Sequence, residues 1–141
     1  MVIQQLSVFL EDRKGRLTEI TGTLAENGIN ISAFSIADAP EYGILRMVVG
    51  KPELALKILK EKGFSVKLTE VACIVVPNKP GGLFKALKIL SENDITIDYM
   101  YAFALEDKAS VVIRAASIEN VIEVLQKNKM ELIGSDRIYQ V

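Results

Sequence analysis

Two glycine-containing turns carry the residues of this sequence that are best suited to binding chemistry. One turn reads Pro77-Asn78-Lys79-Pro80-Gly81-Gly82-Leu83, and the other reads Glu11-Asp12-Arg13-Lys14-Gly15-Arg16-Leu17. A glycine at a turn between a strand and a helix allows a ligand to approach the backbone closely. The first amides of a helix have no partner within the helix and attract anions, so either turn could receive a carboxylate.

A ligand that carries an ammonium group as well as a carboxylate would also require oxygen acceptors. Asp12 and Asn78 offer such oxygens in the turns, and Asn30, Ser32 and Asp98 offer them where a later strand begins. The predicted ligand-binding residues are the turn residues and these strand-start residues, namely Asp12, Gly15, Arg16, Leu17, Asn30, Ile31, Ser32, Asn78, Pro80, Gly81, Gly82, Leu83, Thr96, Ile97 and Asp98.

The same turn residues also have a purely structural interpretation. Gly15 and Gly81 would then only permit a tight turn, Pro80 would stiffen it, and Asp12 or Asn78 would cap the following helix. The repetition of the turn does not decide between the two interpretations, because a duplicated structure also repeats.

The composition argues against catalysis and against a metal centre. The 141 residues include no histidine and the single cysteine Cys73. Histidine-based acid–base pairs are therefore excluded, and so are metal sites built from histidines or from a cluster of thiolates. We find no nucleophile paired with a base, and we expect a protein that is not an enzyme and needs no cofactor.

The charge and hydropathy patterns narrow the range of partners. Seventeen Lys and Arg residues against 18 Asp and Glu residues give a formal net charge of −1, which provides no basic surface for nucleic acid. No apolar run reaches the roughly 18 residues of a membrane span, and the first residues do not resemble a signal peptide. We expect a cytoplasmic protein that binds neither nucleic acid nor membranes.

The chain contains an internal repeat with an offset of 66 positions. Without any gap, this offset aligns nine identical pairs over the first 71 positions, including Gly15 with Gly81 and Asn27 with Asn93. The apolar pattern keeps the same register through every element. Each copy shows alternating apolar residues, then a helical spacing, then two more alternating segments, a second helical spacing and a closing strand near 64–68 or 130–133.

This order of elements predicts the fold class. Crossover helices that join strands of one sheet produce the split βαβ arrangement of ferredoxin-like folds. We predict an α+β protein made of two ferredoxin-like βαββαβ units, each a four-stranded antiparallel sheet with two helices on one face. The predicted domains are residues 1–70 and 71–141.

The sheet face opposite the helices is not consistently polar. Apolar residues are predicted there in both copies, namely Phe9, Ile44, Val48, Cys73, Val75 and Val112. Such residues suggest that this face is covered, so the units would pack on one another, on a second chain, or both. We expect a homodimer.

The turns and the strand that follows them resemble the ACT domain family. Pro80-Gly81-Gly82-Leu83, followed by Glu92-Asn93-Asp94-Ile95, is similar to the family's Asn/Asp-x-Pro-Gly-x-Leu turn and Asn-Ile strand start, and the first copy departs by having Lys14 in place of proline. The resemblance covers both halves. It implies a stand-alone tandem ACT protein that binds a small-molecule effector, an amino acid, at interfaces between ACT units, with Asp12 and Asn78 contacting the ligand and with a separate amino-acid metabolic enzyme as a possible target.

Three other functions remain open at this stage. The chain could be a regulatory subunit of an amino-acid biosynthetic enzyme that acts only through protein contacts. It could be an RNA-binding ferredoxin-like module, although the basic and aromatic third-strand motif is absent from residues 43–48. It could be an acylphosphatase-like enzyme, which uses this topology, but the corresponding turn motif is absent.

Overall fold

The computed structural model describes residues 1–11, 14–38 and 41–138, except for the side chains of Asp38 and Leu105. These residues form two compact units. The N-terminal unit consists of Gln4–Thr69 with residues 136–138, and the C-terminal unit consists of Glu70–Ser135 with Met1–Ile3. The first three residues therefore belong to the unit formed by the second half of the sequence, and residues 136–138 belong to the unit formed by the first half.

The N-terminal unit has the strand order β4-β1-β3-β2. Strand β3 pairs antiparallel with both β1 and β2, and Ser7 Oγ lies 3.2 Å from Thr69 Oγ1 on β4. Its elements are β1 (Ile3–Glu11), α1 (Arg16–Glu26), β2 (Ile31–Asp38), β3 (Tyr42–Val49), α2 (Pro52–Glu61) and the first part of β4 (Ser65–Pro77).

The C-terminal unit repeats this arrangement with the strand order β7-β4-β6-β5. Its elements are the second part of β4, α3 (Gly82–Glu92), β5 (Ile97–Leu105), β6 (Lys108–Ala115), α4 (Ile118–Lys127) and β7 (Glu131–Leu132), and α5 (Ser135–Ile138) follows. The helices and the central strands keep the 66-residue offset. The predicted fold class, two ferredoxin-like units, is confirmed.

Each unit has its own core between its helices and one sheet face. In the N-terminal unit, Leu6 and Val8 of β1 pack with Leu24 of α1 in one buried cluster. In the C-terminal unit, the equivalent cluster includes Ile74 of β4 and Leu90 of α3. The two-residue period of the strands and the three-to-four-residue period of the helices place these side chains on facing surfaces.

The first helix of each unit ends at an asparagine. The Asn27 side chain donates a 2.8 Å hydrogen bond to the Thr23 carbonyl, and the Asn93 side chain donates an equally long bond to Ile89. The following residue has a positive φ in both copies, 67° at Gly28 and 57° at Asp94. These contacts satisfy carbonyls that the helix itself leaves without partners.

The two closing strands differ from their predicted extents. The closing strand predicted at 130–133 is shortened to Glu131–Leu132, because Gly134 and the short helix α5 follow it. The closing strand of the N-terminal unit is longer than predicted and continues as the opening strand of the C-terminal unit. No glycine or proline interrupts the sequence between Ser65 and Val76, so β4 passes straight through the boundary.

The sheet face away from the helices carries both buried and exposed side chains. Val48, Cys73 and Val112 are fully buried, whereas Phe9 remains 44% exposed. The Phe9 ring stacks on Tyr42 with 4.3 Å between the ring centroids. Much of the apolar surface that the sequence places on this face is therefore buried. Among the described residues, no helix combines the length and the apolar character that crossing a membrane requires.

Candidate functional site

Each predicted turn ends in a glycine that adopts the left-handed backbone conformation and directly precedes a helix. Gly15 precedes α1 with φ 84°, and Gly81 precedes α3 with φ 87°. The carbonyl of each glycine accepts the first hydrogen bond of its helix, from Glu19 at 2.9 Å and from Lys85 at 3.1 Å. Residues with a Cβ rarely adopt this conformation, so both glycines are needed for the turn itself.

Asn78 attaches the C-terminal turn to the hairpin between β5 and β6. Its backbone amide donates to the Asp107 carbonyl at 2.8 Å, and its side-chain Nδ2 donates to the Glu106 carbonyl at 3.0 Å. The structural interpretation in which Asn78 caps the following helix is therefore wrong, since Gly81 is the N-cap residue. The Oδ1 atom takes part in neither bond and can accept a hydrogen bond from a ligand.

Gly82 is held against the backbone of the strand that precedes the turn. A Cβ atom at this position would lie 2.1 Å from the Pro77 carbonyl oxygen. The Gly82 amide donates a 3.0 Å bond to the Lys79 carbonyl, so the expectation that this amide is unpaired is wrong. The C-terminal turn is therefore closed tightly on itself, and Gly82 contributes close packing rather than a free donor.

The N-terminal turn has a different structure at the equivalent position. Arg16 stands where the C-terminal turn has Gly82, and its guanidinium lies 4.6 Å from the ring centroid of Phe64. The same guanidinium is 3.3 Å from the Glu19 carboxylate. Leu17, the next predicted residue, is 39% exposed on α1. The predicted residue Asp12 lies outside the described residues.

The predicted strand-start residues occupy matching irregularities in the two units. The pairing of β2 with β3 shifts register at Ser32, and the pairing of β5 with β6 shifts register at Asp98. The Ser32 hydroxyl donates a 3.1 Å bond to the Ile138 carbonyl, and the Asn30 carbonyl accepts one from Gly50 at 2.9 Å. Thr96 and Asp98 are exposed, and Ile31 and Ile97 are partly buried.

Within a unit, the turn and the strand start lie at opposite ends of the sheet. In the C-terminal unit, Pro77 pairs with Lys108 at one end of β6, and Ile97 pairs with Ala115 at the other. Seven steps along β6, at about 3.3 Å per residue, separate these ends by about 23 Å. A single unit therefore does not bring the two groups of predicted residues together.

An open concavity of about 530 Å³ adjoins the C-terminal turn. The predicted residues Asn78, Pro80 and Leu83 line it, and so do residues that the sequence interpretation missed, among them Ala102, Ala109 and Val111. Comparing the two repeats position by position could have indicated two of them, because the N-terminal copy has the larger residues Ile36 and Leu45 in place of Ala102 and Val111.

Cys73 is inert in this environment. The side chain is fully buried in β4, and burial raises the pKa of the Cys73 thiol to about 12 by removing water from the charged form. The thiol therefore stays protonated at neutral pH and offers no nucleophile.

The whole chain, residues 1–141, matches the family described as an ACT domain pair. It is also similar to the crystal structure of protein BT0572 from Bacteroides thetaiotaomicron, with 45% identity, a TM-score of 0.96, and coverage of 100% of this chain and 98% of that one. A search of curated proteins gives no match.

More distant solved structures share the fold. The ligand-free regulatory subunit of aspartate kinase from Thermus thermophilus is 19% identical with a TM-score of 0.65, covering 89% of this chain and 93% of that one. E. coli aspartokinase III in complex with lysine and aspartate is 18% identical with a TM-score of 0.55. This match covers 91% of the present chain and 31% of the aspartokinase.

Proposed function

Because this chain belongs to the ACT domain pair family, we propose that it is a regulatory protein that binds a free amino acid and has no catalytic activity of its own. The observation that carries this proposal is the concavity beside the Asn78–Leu83 turn. It combines an apolar wall with two polar rim residues, Asn78 and Lys79, in a volume of about 530 Å³. Small-molecule sites have this character and a comparable size.

The polar rim matches the charged groups of an amino acid. Lys79 and the start of α3 favour the carboxylate, because Lys79 carries a positive charge and the N-terminus of a helix attracts anions. The Asn78 Oδ1 atom is an acceptor for the ammonium group, and its orientation is fixed by the Nδ2 bond to Glu106. The strand-start residues Thr96, Ile97 and Asp98 would complete a site from another copy, since one unit keeps them about 23 Å from the turn.

We therefore infer that the functional form is a homodimer in which turns and strand starts of different ACT units meet around the effector. The equivalent residues of the N-terminal unit, Gly15, Arg16, Leu17, Asn30, Ile31 and Ser32, with Asp12, form the second set of candidates. A cytoplasmic location and an amino-acid metabolic enzyme as the regulated partner complete the proposal. The family resemblance supports these two parts.

A thermal-shift screen of the standard amino acids on the full chain tests the function. A ligand that binds only the folded state raises the melting temperature by mass action. We expect one chemical class of amino acid to raise it at millimolar concentration and the remaining classes to leave it unchanged. If none raises it, the effector proposal fails and a role through protein contacts alone is favoured.

A further inference from the structure

Three positions that line the concavity beside the C-terminal turn carry smaller side chains than their counterparts in the other repeat. Val76, Ala102 and Val111 line it, and the N-terminal unit has Leu10, Ile36 and Leu45 at the same offset. The pairing is the same in both units, since Ala102 faces Val111 on β6 as Ile36 faces Leu45 on β3. The two repeats therefore pair these strands in the same way and differ in the size of the side chains at these three positions.

Ile36 stands at the position of the N-terminal unit that corresponds to Ala102. Gly43 stands where the C-terminal unit has Ala109, and it pairs with Leu10 as Ala109 pairs with Val76. A Cβ atom at Gly43 would lie 3.9 Å from the Cγ2 atom of Ile36 and 3.9 Å from Leu10. The Ile36 side chain thus lies beside Gly43, and Ala102 at the same offset lacks the side-chain atoms beyond Cβ.

The lining of the concavity discriminates between ligand side chains. The described residues that line it are apolar apart from Asn78 and Lys79, and none of them is a carboxylate. Asp107 and Glu131 line a neighbouring concavity that shares Val76 and Pro77 with the first, and Glu131 lies 4.0 Å from Lys108 there. A lysine or arginine side chain lying against the residues of the first concavity would lose its hydration without gaining a counter-charge from them, whereas an aliphatic side chain would gain contacts.

We propose that the C-terminal unit alone holds the side chain of the effector, that this side chain is aliphatic and of the size of valine, leucine or methionine, and that Ile36 closes the equivalent space of the N-terminal unit. The inference rests on the proposed amino-acid binding and specifies the class of the amino acid and the unit that holds its side chain. It makes Ala102 the residue that determines specificity. Each chain then binds one amino acid.

Titration calorimetry on the full chain with leucine, valine, lysine and aspartate tests the proposal. We expect leucine or valine to bind with a stoichiometry of one per chain and the charged amino acids not to bind. The variant Ala102→Ile introduces the side chain of the other repeat and should weaken binding by about tenfold to a hundredfold. Ala102 is exposed on an edge strand, so the substitution is compatible with folding.

The matched control is Ile36→Ala, which makes the reciprocal change in the N-terminal unit and should leave the affinity for the aliphatic ligand unchanged. Binding of a charged amino acid, or unchanged leucine binding in Ala102→Ile, would overturn the inference while the proposed function stands. Absence of binding by any amino acid would overturn both. If Ala102→Ile alters only self-association in sedimentation equilibrium, the concavity is a contact between copies and the inference is overturned.

Discussion

At the scale of single residues, Gly82 shows how a missing side chain defines the C-terminal turn. Replacing it with alanine places a methyl group 2.1 Å from the Pro77 carbonyl oxygen, a distance that backbone movement must relieve. We expect Gly82→Ala to lower the free energy of unfolding by about 1–3 kcal/mol, as overpacking does elsewhere. Urea unfolding followed by circular dichroism measures this change.

Gly22→Ala is the control, because it adds the same methyl group at a position with open space around it. It lies within α1, and a Cβ atom added there would have no described atom within 4 Å beyond the adjoining backbone of its own helix. Gly22→Ala should raise the free energy of unfolding by up to about 1 kcal/mol through helix propensity. Equal effects of the two substitutions would show that the contact with Pro77 is not what constrains the turn.

Cys73 gives the protein a predictable response to alkaline pH. Burial raises the pKa of its thiol from 9.0 to about 12, so the thiol ionises more readily in the unfolded chain than in the folded one. The resulting stability is complete below about pH 9 and is lost as the pH rises towards 12. We expect the stability of the natural protein to fall more steeply above about pH 9 than that of Cys73→Ala.

Chemical unfolding of both proteins over a pH series measures the two slopes. The substitution also removes a buried sulfur atom, which lowers stability at every pH, so the informative quantity is the difference in slope. Parallel pH profiles would contradict the protonated, buried thiol. Slow labelling of the native thiol by a disulfide reagent, and fast labelling in denaturant, provides an independent check.

The single residues also show what the sequence could and could not predict about the site. Gly15 and Gly81 were predictable, because a glycine between a strand and a helix is a local feature. The two bonds of Asn78 were not, since Glu106 and Asp107 lie 28 and 29 positions away in the sequence and only folding brings them close. The contact between Gly82 and Pro77 likewise depends on the path of the turn.

At the scale of elements, local periodicity was sufficient for most of the fold. Helices α1 and α3 are offset by 66 residues, as are α2 and α4, because the same spacing of apolar residues occurs in both copies. The length of β7 was not predictable from alternation alone. A closing strand needs a neighbour along its length, and this one is paired with β4 through Glu131 and Leu132, with one further bond from the Ile133 amide to the Cys73 carbonyl.

The concavity is a second feature that emerges at this scale. Alternation assigned Ala102 and Val111 to one side of the strands but could not show that a concavity remains beside them. The helix position depends on the turn, and the turn depends on Gly82. The site could therefore be predicted only once the packing of the elements was known, whereas the elements themselves could be predicted from the sequence.

At the scale of the whole molecule, the ends of the chain are exchanged between the two units. Ile3 is fully buried and belongs to the C-terminal unit, and Val2 packs against the core of that unit. We expect Ile3→Ala to cost about 2–5 kcal/mol, because it leaves a cavity in a region where little can rearrange. Hydrogen exchange should show the loss of protection mainly in residues 70–135 rather than in 14–38.

Ile36→Ala is the control for this prediction, since it removes the same atoms from a side chain that is 51% exposed. It should change the free energy of unfolding by less than about 0.5 kcal/mol. Loss of protection confined to residues 14–38 in Ile3→Ala would mean that the first residues stabilise the N-terminal unit instead.

The uninterrupted course of β4 has a consequence for how this chain can tolerate insertions. Even-numbered positions face the cores on both sides of the boundary, with Val66 and Leu68 before it and Ala72, Ile74 and Val76 after it. One residue inserted near Glu70 would turn Val71, Cys73 and Val75 towards the second core, whereas an insertion of two would preserve the alternation. Only insertions of an even number of residues therefore keep the apolar side chains of β4 directed towards both cores.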